Sequence, residues 1–209
     1  MYDKQTFKNK ITKRQIEDSL TLLKNSRGKG VAISLTGPDI DDHIVNYKKA
    51  NFSHVFVAEL DDATYYNMSK DPYYLKNQNY MTLQHVNVFK MIKEVSKTQI
   101  ITEIDLDFTR TIGTLLPELT RNIPLFRESW FTKRFTIITT FCNRQARHKK
   151  DRDLLTLNTM INNLSWCNIR TLYYKNYKDY YGAPMYTQMF DMYKNDGLKK
   201  YHSLEWTDF

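Results

Sequence analysis

The chain has 209 residues and carries 31 Lys and Arg against 23 Asp and Glu, a formal net charge of +8. Hydrophobic residues make up 41% and charged residues 26%, which excludes a disordered chain and predicts a single domain able to bury its own core. No apolar run approaches the ~20 residues of a membrane-spanning helix, and the opening MYDKQTFKNK lacks the apolar centre of a secretory signal, so a cytoplasmic protein without a membrane partner is expected.

Residues 1–11 are polar and basic and read as an N-terminal arm; the single domain is expected from residue 12 to residue 209. Thr12 can cap a helix that carries Ile16, Leu20 and Leu23 at helical spacing and ends near Gly28. VAISLTGP (31–38) is a buried strand stopped by Gly-Pro, and 39–52 is helical in its second half. HVFVAELD (54–61) is a second buried strand. The segment 63–77 has no clean period, and its DPYY reads as a proline turn. Residues 83–95 are expected to hold a short strand at 84–88 and then a helical turn.

QIITEIDLDF (99–108) is a strong strand, and 111–126 is a helix that Pro117 either interrupts or begins. RFTIITTFCN (134–143), β-branched and aromatic throughout, is another strong strand. Residues 144–164 form a basic lead into a helix with Leu154, Leu157 and Ile161 on one side. Two final strands, 167–177 and 183–194, flank a turn at Gly182 and read as an antiparallel pair. Strands alternating with helices predict an α/β fold: a seven-stranded, mostly parallel sheet with helices on both faces and a C-terminal antiparallel β-hairpin.

Average usage predicts about 15 glycines in a chain of this length. There are 6, and they build no GxGxxG, no GxxxxGK[ST] and no GxSxG. The P-loop, the usual dinucleotide fingerprint and the hydrolase nucleophile elbow are therefore excluded. Cys142 and Cys167 are too few for a disulfide framework and fit no zinc spacing, and the five histidines are scattered. The positive charge is compatible with a polyanionic partner, nucleic acid above all.

Ligands of an open α/β sheet bind beyond the carboxyl ends of its strands. Four places follow: Thr36–His43, Glu59–Asp62, Asn87–Phe89 and Asp105–Thr109. Glu59 closes the second strand about 22 residues after Gly37, near the βαβ spacing of a nucleoside site, and its paired carboxylate oxygens can accept both hydroxyls of a ribose. The alternative is that Asp61 and Asp62 cap the next helix and Glu59 is solvated. Asp105 and Asp107 alternate onto one side of their strand, which is costly in a core unless one stands at an exposed end.

A helix, five βα units and a terminal hairpin, with Glu59 in VFVAELDD and an acid–aromatic pair in IDLDFTRT, resemble the class I, Rossmann-like S-adenosylmethionine-dependent methyltransferases over about residues 12–195. The resemblance implies S-adenosylmethionine as cofactor. Thr36 and Gly37 would then line the donor loop, Glu59 (or Asp61 in its place) would hold the ribose, Asn87 would touch the adenine, and Asp105 would belong with the donor-binding residues. Asp107 and Phe108 would face the transferred methyl as the catalytic pair, at one mouth with Glu59. The family's glycine-rich turn is degenerate here: only Gly37 remains, followed by Asp39, Asp41 and Asp42.

Basic residues disfavour a helix N-terminus unless they serve something. Arg144, Arg147, Lys149, Lys150 and Arg152, with His148, are accordingly the expected nucleic-acid contacts, with Tyr73, Tyr74 or Trp130 available to stack on bases. Three functions follow. The first is a methyltransferase-like protein acting on nucleic acid. The second is an inactive Rossmann-like module that binds nucleic acid or a protein. The third is a metal-dependent phosphoesterase in which Asp39, Asp41, Asp42, His43, Asp105 and Asp107 converge on Mg²⁺ or Mn²⁺. No dedicated metal-ligand spacing supports the third.

Overall fold

The computed structural model describes residues 30–37, 40–108, 110–127, 130–178 and 184–194. The expected arm at 1–11, the helix from Thr12, Asp39 and the turn at Gly182 lie outside these residues. The chain divides into two compact units, Met1–Leu106 and Asp107–Phe209.

The first unit is a parallel α/β layer. Its strands are β1 (Val31–Ser34), β2 (His54–Glu59), β3 (Met81–His85) and β4 (Ile101–Asp107). β1 pairs in parallel with β2 on one side and with β4 on the other, and β2 pairs in parallel with β3. Parallel neighbours need a crossover, and helices supply it: α1 (Ile40–Lys49), α2 (Asp62–Ser69), α3 (Pro72–Lys76) and α4 (Val88–Val95).

α1 buries Ile40, Ile44 and Tyr47, spaced four and three apart, against Ala32, Val55, Val57, Met81 and Leu83. A capping motif ends it: Phe52 N–H bonds to Tyr47 O, Asn51 N–H bonds to Lys48 O, and Asn51 takes the left-handed conformation at φ 64°. The ring of Phe52 then meets Tyr47 edge-on at 5.3 Å, fixing the angle at which the chain enters β2.

The segment without a clean period is two short helices. α2 buries only Met68, so it has no apolar face for the sequence to display. DPYY is a helix start: Asp71 accepts hydrogen bonds from the N–H groups of Tyr73 and Tyr74, and Pro72 takes the first position, where its missing donor costs nothing. β3 lies at 81–85 rather than 84–88, because Asn87 caps α4 and the strand must stop before it.

The second unit holds α5 (Ile112–Asn122), a short 3₁₀ turn (Ile123–Leu125), β5 (Phe131–Cys142), α6 (Arg147–Asn162), β6 (Cys167–Lys178) and β7 (Pro184–Lys194). α5 continues through Pro117, held on both sides of it by buried Ile112, Leu115 and Leu119. α6 buries Leu154, Leu157 and Ile161. β6 and β7 form the expected antiparallel pair, and β7 also pairs antiparallel with β5. Residues 185–192 of β7 are all buried, so the alternation that reads as a two-faced hairpin strand belongs to a strand covered on both faces.

Gly30, at the entry to β1, is required by close approach. A Cβ there would stand 2.0 Å from Thr102 Cγ2 and 2.8 Å from Thr102 Cβ. Gly30→Ala is therefore expected to destabilise the fold by about 2–3 kcal/mol, read as a lowered urea midpoint, with partial recovery in the Gly30→Ala/Thr102→Gly double variant. An unfolding free energy within about 0.5 kcal/mol of wild type would refute the contact.

Candidate functional site

Because β1 to β4 run in parallel, their carboxyl ends share one edge of the first unit. Ser34 is in register with Val57 of β2 and Asp105 of β4, and Glu59 with His85 of β3. Beyond β1, Leu35 N–H extends the ladder to Asp105 O at 3.0 Å. Thr36 is buried, and its hydroxyl donates to Gly37 O at 3.1 Å. Gly37 has φ +59°, and among the described residues no heavy atom beyond its chain neighbours lies within 4 Å of where a Cβ would stand. The turn after β1 thus offers left-handed, open backbone that another molecule can approach.

Glu59 ends β2 with its carboxylate folded over the next turn. Oε1 accepts hydrogen bonds from Leu60 N–H at 2.7 Å and from Asp61 N–H at 2.8 Å. Its backbone oxygen accepts Val86 N–H at 3.0 Å, so the residue is pinned to the neighbouring strand end. Both donors bond to Oε1, which leaves Oε2 to accept from a sugar hydroxyl. Asp61 is the N-cap of α2: it accepts Thr64 N–H at 2.8 Å, and that bond holds its carboxyl below the usual range. Asp61 is therefore engaged as a cap, while both bonds to Glu59 fall on one of its oxygens.

Asn87 is also a cap. Its Oδ1 accepts Phe89 N–H at 2.9 Å at the start of α4. This oxygen thus spends one of its two acceptor positions on the helix, for the same reason that Asn is favoured before helices.

Asp105 is buried, two residues inside the end of β4, and belongs to a polar group that the sequence does not reveal. Glu103 is buried two residues before it, and the charges of both act on Tyr47 of α1. Burial, then the negative charges of Asp105 and Glu103, push the Tyr47 phenol well above its usual range, and its hydroxyl faces Ser34 and Asp105. Asp105 is therefore a carboxylate held under the edge by a tyrosine. No sequence signal pairs Tyr47 with Asp105, because they meet only when α1 docks on the sheet.

In the second unit, Asp107 and Phe108 are half-buried. Phe108 N–H bonds to Thr140 O at 2.9 Å, and its ring stacks on Phe141 with centroids 6.0 Å apart. Glu59 belongs to the first unit and Asp107 opens the second.

Arg144, Arg147, Lys149 and Arg152 are exposed, and Lys150 is half-buried with its Nζ 5.9 Å from the centre of the Tyr186 ring. Arg147 stands 3.8 Å from Asp151, and Arg152 stands 3.4 Å from Asp153. The Arg147–Asp151 pair is exposed at both ends and contributes about 0–1 kcal/mol, whereas Asp153 is buried and Arg152 exposed. α6 has no acidic residue in its first turn and no side-chain cap. Gln145 anchors this start: its Oε1 accepts Gly113 N–H of α5 at 3.1 Å, and its Nε2 donates to buried Asp153.

The aromatics proposed for base stacking are engaged elsewhere. Tyr73 and Tyr74 pack on the core of the first unit, and Trp130 packs on Phe126 and Phe131. Among the described residues, no group of three His, Cys, Asp or Glu side chains could hold a metal ion, and no helix is long and apolar enough to cross a membrane. The side chains of Asp41, Asp42 and His43 lie outside the described ones.

No family model matches the chain, and no curated protein matches it in sequence. Solved structures do match in fold. The METTL16 methyltransferase domain lacking its N-terminus superposes with a TM-score of 0.58 at 11% identity, covering 88% of this chain and 82% of that one. A candidate rRNA methylase from Clostridium thermocellum gives 0.55 at 12% identity, covering 86% and 94%. SMU.1697c, a candidate methyltransferase from Streptococcus mutans in complex with SAH, gives 0.52 at 13% identity, covering 85% and 97%. The chain therefore has the Rossmann-like fold of the S-adenosylmethionine-dependent methyltransferases.

The buried phenol makes a pH prediction. Tyr47 stays neutral in the folded state at pH values where the unfolded chain ionises it, near its ordinary value of about 10. Its contribution is complete below pH ~10 and is lost as pH rises above that. Urea midpoints at pH 9 and pH 11 are expected to fall less in Tyr47→Phe than in wild type. Equal losses would remove Tyr47 from the alkaline transition.

Proposed function

We infer that the chain is a methyltransferase-like protein that binds S-adenosylmethionine at the carboxyl edge of its first unit and acts on nucleic acid. The observation that carries this reading is the carboxylate of Glu59, fastened at one oxygen by two backbone N–H groups at the end of β2, with its second oxygen left to accept. The neighbouring strand, β1, ends in the open turn at Gly37. An acid for a vicinal diol beside approachable backbone is what a nucleoside with a charged tail requires. The residues present fit the group at these two points. When bound, it supplies a methyl group made electrophilic by a positively charged sulfur.

Glu59 would orient the ribose, and Thr36 would hold the Gly37 turn through its hydroxyl. Asp105, tied to Tyr47, would supply negative charge beneath the edge. Asn87 would contribute through the placement of α4 that it caps. In the second unit, Asp107 and Phe108 are assigned to the acceptor, whose positioning would be the main catalytic contribution. Arg144, Arg147, Lys149, Lys150 and Arg152 are assigned to phosphates of a nucleic acid, supported by their exposure and by the absence of acids from the first turn of α6.

A second reading keeps the fold without the cofactor, as a binding module for nucleic acid or a protein. Two observations favour it: the first turn holds a single glycine, and Asn87 spends its oxygen on a helix cap. Calorimetry separates the readings. S-adenosylhomocysteine is expected to bind wild type, and Glu59→Ala is expected to weaken it by about 10-fold. No heat at millimolar S-adenosylmethionine or S-adenosylhomocysteine would remove the enzyme.

The basic residues carry their own test. With a single-stranded oligonucleotide, Arg147→Ala/Lys150→Ala is expected to lower affinity and to reduce the slope of log K against log salt by about 1.4, the share of two phosphate contacts. An unchanged slope would take the nucleic acid away from this surface.

A further inference from the structure

The turn that fastens Glu59 is itself fastened from β3. His85, the last residue of β3, places Nε2 3.1 Å from the backbone oxygen of Leu60 and 3.2 Å from Oδ1 of Asp62. Both neighbours are acceptors only, so Nε2 must carry the proton. The ring is held from its face as well, stacked on Tyr65 of α2 with centroids 4.9 Å apart and planes 24° from parallel. One imidazole thus grips the Leu60–Asp62 turn at its first and last residues. The N–H groups of Leu60 and Asp61 within that turn fix the carboxylate of Glu59.

We propose that His85 is the positioning residue of Glu59, its Nε2–H setting the Leu60–Asp62 turn and, through the turn's amides, the direction in which Glu59 presents its outer carboxylate oxygen. The proposal rests on the reading of Glu59 as the ribose ligand for its functional consequence, and on the turn alone for its geometry. His85 touches neither substrate nor cofactor; it acts by removing the rotamer freedom that Glu59, at an exposed strand end, would otherwise lose on binding.

Two variants separate the bond from the packing. His85→Phe keeps a ring for Tyr65 and loses the donor. His85→Gln loses the ring and keeps an N–H that can reach the same acceptors. Titrated calorimetrically with S-adenosylhomocysteine, His85→Phe is expected to bind about 5- to 10-fold more weakly, the loss of one or two modest hydrogen bonds, and His85→Gln to recover to within about 2-fold of wild type. In a Glu59→Gln background the His85→Phe change is expected to have no further effect, because the two act as one unit. Full additivity, or a His85→Gln as weak as His85→Phe, would overturn the proposal.

Nuclear magnetic resonance without ligand gives the independent arm. At pH 8 the His85 ring is expected as the Nε2–H tautomer, and His85→Phe is expected to move the Glu59 carboxyl carbon and the amides of Leu60 and Asp61. An Nδ1–H tautomer, or an unmoved Glu59 carboxyl, would overturn it. Should wild type bind no S-adenosylhomocysteine while these resonances behave as expected, the cofactor reading fails and the positioning of Glu59 by His85 stands.

Discussion

Parallel pairing of β1 with β2 on one side and β4 on the other is the constraint on which the first unit depends. It forces helical crossovers, and it sends every strand's carboxyl end to the same edge. The chain runs outward from β1 through β2 to β3 and then returns to the other side of β1. That reversal between β1 and β4 is the kind of switch point at which an open α/β sheet receives its ligand. The placement of Gly37, Glu59 and His85 follows from this single choice of direction and register.

The edge is built over a buried polar layer. Glu103 and Asp105 are buried in β4, and the phenol of Tyr47 from α1 faces Asp105. Carboxylates in a core are tolerated only with partners. A hydrocarbon in place of the Tyr47 hydroxyl would leave that layer short of a donor. The same helix is stopped by Asn51 and locked by Phe52, so the position of Tyr47 depends on a capping motif at the far end of α1. Short-range chain chemistry and long-range burial therefore converge on one helix.

The second unit solves a different problem. Its last strand lies between β5 and β6 and is buried on both faces, so the C-terminal part of the chain is needed to complete the pairing of β5. The hydroxyl of buried Thr187 lies 2.9 Å from that of Thr140, and Tyr186 donates its hydroxyl to Gln188 Oε1 at 2.8 Å. The start of α6, held by the bridge from Gly113 through Gln145 to Asp153, carries exposed cations where the helix's own field disfavours them. Electrostatics unfavourable to the isolated helix become favourable once an anion is present.

The sequence by itself determined the strands and the order in which helices separate them. Buried strands such as VFVA and FTIITTF are runs of apolar and β-branched residues, and the register of such residues is set by the need to bury them. It also singled out Glu59, because an acid closing a buried strand is conspicuous against that background. Only the tertiary structure decided what each polar side chain near the edge does. Asp61, Asp71 and Asn87 became helix caps because the N–H groups they satisfy exist only once α2, α3 and α4 have formed. Tyr47, His85 and Gln145 acquired partners far along the chain, and no periodicity encodes a hydrogen bond between residues whose proximity is created by packing.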